Sequence, residues 1–374
     1  MLRHRTWHDR CFDTGMRAHA ARPAGFDAVP FMVFWETTQA CDLVCKHCRA
    51  DACPVRDPAE LTFAEGVRLL DDVAAMGCRL VVLTGGDPAK RPDLVDLVRH
   101  GTRLGLRMAL TPSATPLVTA AWLRRLADAG LTRLAASLDG AHPASHDDFR
   151  GVRGSYARTM EILDEARRIG ITTQVNTTIT EHNVTELEAI AQRLVAFGIT
   201  LWSVFFLVPT GRGESLRMLD PEIVERVLER LAAIARSAPF DIKTTAAPHF
   251  RRVLLQQRVR RRDVIGIDEI GRAPRGVNDG QGVLFVSHRG EIFPSGFLPV
   301  RCGSVRTDDL ATVYRTHPVF RALRDPGRLE GKCGACEFRR VCGGSRARAY
   351  AMRGNLFAED PVCAYQPAAQ RTVP

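Results

Sequence analysis

Between residues 31 and 236 short apolar runs alternate with helix-length amphipathic ones, and this alternation restricts the possible folds more than any other feature. The strand candidates are 31–36 (FMVFWE), 79–84, 106–110, 133–138, 172–179 (TTQVNTTI) and 201–208. The intervening runs, such as FAEGVRLLDDVAAMG and VTELEAIAQRLVAFG, carry apolar residues at helical spacing and stop at Gly77, Gly170 and Gly198. Thr62 with Glu65 forms the pattern of a capping box before the first helix. Strand and helix in series, six times over, imply a parallel sheet, either open and doubly wound or a partial barrel. In both, ligands gather at the C-terminal ends of the strands.

After residue 237 the rhythm is lost. A basic run, RRVLLQQRVRRRD, precedes the Gly-rich stretch GRAPRGVNDGQG, which reads as a surface loop. VLFVSHRGEIFPSG then reads as a β-hairpin turning near His288-Arg289-Gly290, and the remainder is loop-rich and punctuated by cysteine. The organisation expected is an N-terminal extension (1–30), the βα region (31–236), a linker (237–282) and a small C-terminal unit (283–374). No run of 18 apolar residues suggests a membrane helix, and no apolar stretch in the first 30 residues suggests a secretory signal, so a cytoplasmic protein is expected. The net charge of +10 comes with no basic block interleaved with aromatics, which argues against a nucleic-acid partner.

Eleven cysteines in such a chain suggest metal or Fe–S ligation over a disulfide framework, because they cluster. Cys41, Cys45 and Cys48 follow the first strand directly, at the ligand-binding end of the sheet. Three thiolates hold three irons of a cubane cluster and leave the fourth open, as a catalytic site requires. Zinc is the alternative. It would need a fourth ligand such as His47, but positions 47 and 48 make an awkward chelate pair and CxxxCxxC is not the usual zinc spacing.

CxxxCxxC after a first strand, carried through the following βα units, resembles the radical S-adenosylmethionine (SAM) superfamily. The fold class this implies is α/β, a partial (βα)6 barrel with a small C-terminal Fe–S-binding extension of the SPASM or twitch type. Cys41, Cys45 and Cys48 then hold the catalytic 4Fe–4S cluster, and His47 stands at the aromatic position that packs near adenine. Gly85-Gly86-Asp87-Pro88 resembles the family's Gly-Gly-Glu-Pro motif, with Asp87 facing the cofactor's ammonium group from one methylene further away. Ser113 lies where related enzymes contact the cofactor carboxylate, Ser137 and Asp139 match a ribose-contacting pattern, and Asn176 is a further cofactor or substrate contact. The chemistry implied is reductive cleavage of SAM, which releases methionine and a 5′-deoxyadenosyl radical for hydrogen abstraction. An electron donor such as ferredoxin or flavodoxin is implied with it.

Cys333, Cys336, Cys342 and Cys363 offer a closed four-thiolate site, suited by local spacing to zinc or to a fully ligated Fe–S cluster. The same resemblance makes it an auxiliary 4Fe–4S cluster, the second of two. Ser345 and Ser295 stand where relatives with a further cluster place cysteine, and so does Ala246 in some tetrapyrrole-modifying relatives, so a single auxiliary cluster is implied. Cys11, Cys53, Cys78 and Cys302 receive no ligand role.

Cys48-Arg49-Ala50, Thr210-Gly211-Arg212-Gly213, Ala247-Pro248-His249, Val286-Ser287-His288 and Arg346-Ala347-Arg348 resemble the branch that acts in heme and related tetrapyrrole synthesis. This likeness implies a small acidic tetrapyrrole substrate losing carboxylate from propionate side chains. Arg150, Arg153, Arg212, His249, Arg346 and Arg348 are the cations to set against those propionates. Two alternatives are modification of a ribosomally made peptide and, in a different class, a non-catalytic Fe–S electron carrier.

Overall fold

The computed structural model describes residues 26–261 and 276–370. Cys11, most of the N-terminal extension and part of the Gly-rich stretch lie outside them. Ten strands form one sheet. Seven run in parallel and pair in chain order: β1 (Met32–Glu36), β2 (Leu80–Thr84), β3 (Arg107–Leu110), β4 (Leu131–Ser137), β5 (Thr172–Ile179), β6 (Leu201–Phe206) and β7 (Asp241–Thr245). The six strands read from the pattern are all present. β7 is additional. Its sequence, DIKTT, buries only Ile242, so it carries no apolar alternation to betray it.

The expected hairpin forms from β8 (Val283–Val286) and β9 (Glu291–Phe293), closed by Gly290 N–H donating to Ser287 O at 2.9 Å. β8 also pairs in parallel with β1, opposite β2, and β10 (Gly303–Ser304) completes the order β10-β9-β8-β1-β2-β3-β4-β5-β6-β7. The C-terminal segment therefore extends the barrel's own sheet before it turns into its cysteine-bearing loops.

Helices cover the outer face. α1 (Phe63–Ala75), α2 (Leu94–Arg103), α3 (Ala120–Asp128), α4 (Pro143–Arg150), α5 (Ser155–Ile169), α6 (Leu187–Phe197) and α7 (Pro221–Ile234) fill the crossovers, and α8 (His249–Arg261) follows β7. α1 opens on the expected capping box, Glu65 N–H donating to Thr62 Oγ1 at 3.3 Å and Thr62 N–H to Glu65 Oε2 at 2.8 Å. The glycines expected as stops take left-handed conformations, with φ +88° at Gly170 and +61° at Gly198.

Alternation sorts the two faces of the sheet. Val33, Trp35, Val81, Leu83, Met108 and Leu110 join α1–α3 in one buried cluster, and Val175, Trp202 and Val204 join α6 and α7 in a second. Each such side chain contributes about 1.5–3 kcal/mol by leaving water. The residues between them line the inner face in register: Ser137 opposite Asn176, Asn176 opposite Ser203, and Ser203 opposite Lys243. β7 and β10 are not hydrogen-bonded to each other, so the barrel is open. The loop after β9 reaches across the gap, and Phe297 meets the ring of Phe205 on β6 with centroids 6.3 Å apart. Among the described residues no helix is long and apolar enough to cross a membrane.

Candidate active site

The loop leaving β1 carries Cys41, Cys45 and Cys48 into one small packed cluster with Leu43, Ala52 and Val152. Its shape is set by backbone. Cys41 N–H donates to Cys53 O at 2.8 Å, and Cys48 N–H to Cys45 O at 3.3 Å. The segment Thr210-Gly211-Arg212-Gly213 clamps it from β6. Arg212 donates through its backbone N–H to Cys48 O (3.0 Å), through Nε to Cys45 O (2.9 Å) and through Nη1 to Ala52 O (3.0 Å). Burial pushes the thiols of Cys41 and Cys45 up, an energetic cost that binding as thiolate to a metal would offset.

Around the triad the structure gathers most of the expected site residues. Gly86 and Asp87 hydrogen-bond Thr38 O and Ala40 O at 2.8 and 2.6 Å, so the second strand's end is stitched to the cysteine loop. A Cβ on Gly86 would overlap the carbonyl oxygens of Gln39 and Ala40, and one on Gly85 that of Thr38. The glycines are therefore required by backbone contact. Asp87 is fully buried, and burial raises its carboxyl. It accepts from Ser113 N–H (3.2 Å), Ala89 N–H (3.1 Å) and Thr115 Oγ1 (2.6 Å). Ser113 Oγ in turn lies 3.3 Å from Cys41 Sγ and 2.9 Å from Gly86 O. Asp87 thus fixes the loop that sets Ser113 beside Cys41.

The fourth strand's end contributes a buried ion pair. Asp139, fully buried, accepts from Arg150 Nε at 2.6 Å and from Thr178 N–H at 2.7 Å. Burial, the largest single influence, would raise its carboxyl, but the Arg150 guanidinium and the neighbouring ring and N–H groups together outweigh it and hold it low. Arg150 Nη1 also lies 3.6 Å from Cys45 Sγ, positioned to neutralise a thiolate there. His47 stacks on Phe149, centroids 4.4 Å apart at 6°, and Phe149 stacks on His182. Burial and Arg150 push the His47 imidazole down to about 3, so it is neutral, and its Nδ1 is sealed from solvent with no partner. Ser137 and Asn176 sit side by side, the Asn176 Oδ1 accepting from Gln174 Nε2 at 2.7 Å. Thr115 and Phe149 carry no compact motif, and only proximity to strand ends could have flagged them. Arg150 and Arg212, the cations expected to face a substrate, are used instead at Cys45 and the cysteine loop.

The second group begins on α11 (Gly331–Ala335), which carries Cys333 and follows two short helices, α9 (Leu310–Thr316) and α10 (Pro318–Leu323), and continues in the loops beyond it. Cys336, Cys342 and Cys363 each lie near enough to Cys333 for its charge to oppose their ionisation. Burial is the larger cause in every case, and it takes Cys363 up to about 11. Arg346 Nη2 approaches Cys333 Sγ at 3.7 Å and Asp360 N–H donates to it at 3.5 Å. Among the described residues no three His, Cys, Asp or Glu side chains converge tightly enough for one metal ion. The donor sets themselves, three thiols in the first group and four in the second, have the chemistry that a 4Fe–4S cluster takes. Cys78 and Cys302 belong to the apolar core, and Cys53 is exposed.

Of the cations set against propionates, four are committed elsewhere. On α12 (Arg346–Arg353), Arg348 is 1% exposed and donates to Asp360 Oδ2 (3.0 Å), Leu207 O (3.0 Å) and Ala246 O (2.8 Å). Arg346 donates to Leu356 O and Ala358 O. His249, 1% exposed and 3.4 Å from Asp360 Oδ2, is held neutral by burial at about 4. Arg150 is tied to Asp139, and the remaining two, Arg212 and Arg153, are the loop clamp and an exposed surface residue.

Comparison with known proteins agrees with this geometry. Residues 35–194 match the model of the Radical SAM superfamily. An AdoMet-dependent heme synthase of Methanosarcina barkeri is 38% identical over 340 residues, spanning 90% of this chain and 97% of its own. A PqqA peptide cyclase of Rhodopseudomonas palustris is 28% identical over 351 residues, 92% of this chain and 89% of its own. The crystal structure of Streptococcus suis SuiB bound to S-adenosylmethionine superposes with a TM-score of 0.71 at 17% identity, over 90% of this chain and 78% of that one, which shows a shared fold.

Proposed function

Because this chain belongs to the radical SAM superfamily and is an enzyme that uses SAM and a 4Fe–4S cluster, we propose that it removes carboxylate from the propionate side chains of an acidic tetrapyrrole. The 38% identity to a heme synthase across nearly the whole of both chains carries this reading. A peptide substrate is the weaker fit, since the peptide cyclase is only 28% identical.

In this reading Cys41, Cys45 and Cys48 hold the catalytic cluster, and SAM lies among His47, Gly85, Gly86, Asp87, Ser113, Ser137, Asp139 and Asn176. When bound, the pair supplies a carbon radical able to take hydrogen from an unactivated position. The chain's own contribution is placement. Arg150 compensates charge at Cys45, Asp87 fixes Ser113, and Arg212 holds the cysteine loop against the sheet. Converting a propionate to a vinyl group and carbon dioxide releases one proton and two electrons. One electron leaves with the abstracted hydrogen; the other needs an acceptor, and an auxiliary 4Fe–4S cluster on Cys333, Cys336, Cys342 and Cys363 could receive it. We assign residues 31–236 to the cofactor-binding unit and 283–374 to the auxiliary one, and place the protein in the cytoplasm with ferredoxin or flavodoxin as donor.

The test is mass spectrometry of an anaerobic reaction containing reconstituted, reduced enzyme, SAM and iron-coproporphyrin III. Formation of 5′-deoxyadenosine with loss of carbon dioxide from the porphyrin is the expected result. Cys41→Ala abolishes both products, whereas Cys336→Ala retains some cofactor cleavage uncoupled from porphyrin change. Cleavage with an unchanged porphyrin would remove the tetrapyrrole reading.

A further inference from the structure

The cations singled out in the sequence are used up in holding the fold or face solvent, yet one arginine reaches the inner face of the barrel. Arg49 follows Cys48, and its side chain, 20% exposed, crosses the mouth of the barrel to Glu36 at the end of β1. Nη2 donates to Glu36 Oε2 at 2.7 Å and Nη1 to Gly296 O at 3.3 Å, while the guanidinium lies over the Phe285 ring, 4.7 Å from its centroid. Glu36 does not cancel this charge alone. Its other oxygen is 2.8 Å from His288 Nδ1, and His288 Nε2 lies 3.3 Å from Asp57, which also binds Arg289. Burial disfavours the His288 imidazolium, but Glu36 and Asp57 outweigh it and raise its affinity for a proton. With His288 protonated, Arg49, Glu36, His288, Asp57 and Arg289 together carry an excess of positive charge at the barrel mouth.

Aromatic surface adjoins it. Gly296 packs on both Phe285 and Arg49, close enough that a Cβ there would press on each. The next residue, Phe297, faces Phe205, and both rings keep partial exposure on the open side of the sheet. A guanidinium thus stands beside aromatic faces at the strand ends that carry the cysteine loop. Flat aromatic molecules with ionised carboxylates suit such a wall, the ring on Phe and the carboxylate on Arg.

Resting on the tetrapyrrole reading above, we propose that Arg49, braced on the buried Phe285 ring, forms the substrate-recognition wall with Phe205 and Phe297, Arg49 taking one propionate carboxylate and the two partly exposed rings taking the macrocycle. Arg49 is then a specificity-determining residue.

The test is equilibrium binding, with no turnover. Iron-coproporphyrin III, or its tetramethyl ester, is titrated anaerobically into reconstituted holoenzyme without SAM and followed by the shift of the Soret band. The parent should prefer the acid to the ester. Arg49→Gln should raise Kd for the acid roughly 10-fold and leave the ester unchanged, abolishing the preference, while Arg49→Lys restores part of it. Phe205→Leu, independent of the charge network, should weaken acid and ester alike by about 3- to 10-fold. If Arg49→Gln keeps the parent's affinity and its acid preference, the assignment is overturned although the tetrapyrrole reading stands. Failure of the parent to bind either porphyrin overturns both.

Discussion

Replacing Asp360 with alanine tests how the second cysteine group is held to the barrel. The carboxylate is fully buried and accepts from three groups, Arg348 Nη1 (3.0 and 3.2 Å to its two oxygens), Ser345 N–H (2.6 Å) and Val362 N–H (3.3 Å), with the neutral His249 ring 3.4 Å away. Arg348 reaches from α12 to the carbonyls of Phe206, Leu207 and Ala246 at the ends of β6 and β7, so this ion pair joins the extension to the sheet. Removing the carboxylate leaves a buried guanidinium without its counter-charge, which costs about 3–5 kcal/mol. Across 374 residues the unfolding entropy is about 0.8 kcal/mol per degree, so Tm should fall by about 5 °C. Asp360→Asn keeps an acceptor for Ser345 and should lose about half as much. The assay is thermal melting of the reconstituted enzyme followed by circular dichroism. A melting point for Asp360→Ala within 1 °C of the parent would refute the reasoning.

Gly86→Ala forces a methyl group against the carbonyls of Gln39 and Ala40, displacing the loop that bears Cys41. The expected result is loss of about half the bound iron, with the four-thiol site still filled, and on the order of 100-fold slower SAM cleavage, read by iron analysis and product assay. Acid should destabilise the fold through His249, held neutral at about 4 against 6.5 when unfolded. The unfolded imidazole gains a proton first, so stability is full above pH 6.5 and falls as pH drops toward 4. Between pH 7.5 and 5.5 this group costs about 1.4 kcal/mol, so His249→Gln should lose about 2 °C less in Tm over that range than the parent. His288 acts in the opposite sense: its proton affinity is raised, so its contribution is full below pH 6.5 and fades as pH rises through its folded value. His288→Gln should therefore cost more Tm at pH 6 than at pH 8.5.

Local signals fixed the elements that depend on neighbours in the chain. Period-two runs placed six strands, the Thr62–Glu65 box and Gly170 bounded helices, and the cysteine spacing put three thiols on the loop after β1. Family resemblance then suggested cofactor contacts for Asp87, Ser113, Asp139 and Asn176, which we propose, and the structure sets Asp87 and Ser113 within one hydrogen-bonded group beside Cys41. Only tertiary structure decided what those side chains face. Asp87 turns to Ser113 and Thr115, and Arg346 and Arg348 are buried in the joint between extension and sheet beside a neutral His249, because a buried charge must find its partner wherever packing brings one. β7 escaped notice because an edge strand can be mostly polar. The pairing of β8 with β1 and the meeting of Phe297 with Phe205 join residues about 250 and 90 positions apart. No local period encodes such contacts; they follow from the order in which packing sets the strands and the loop after β9 across the open barrel.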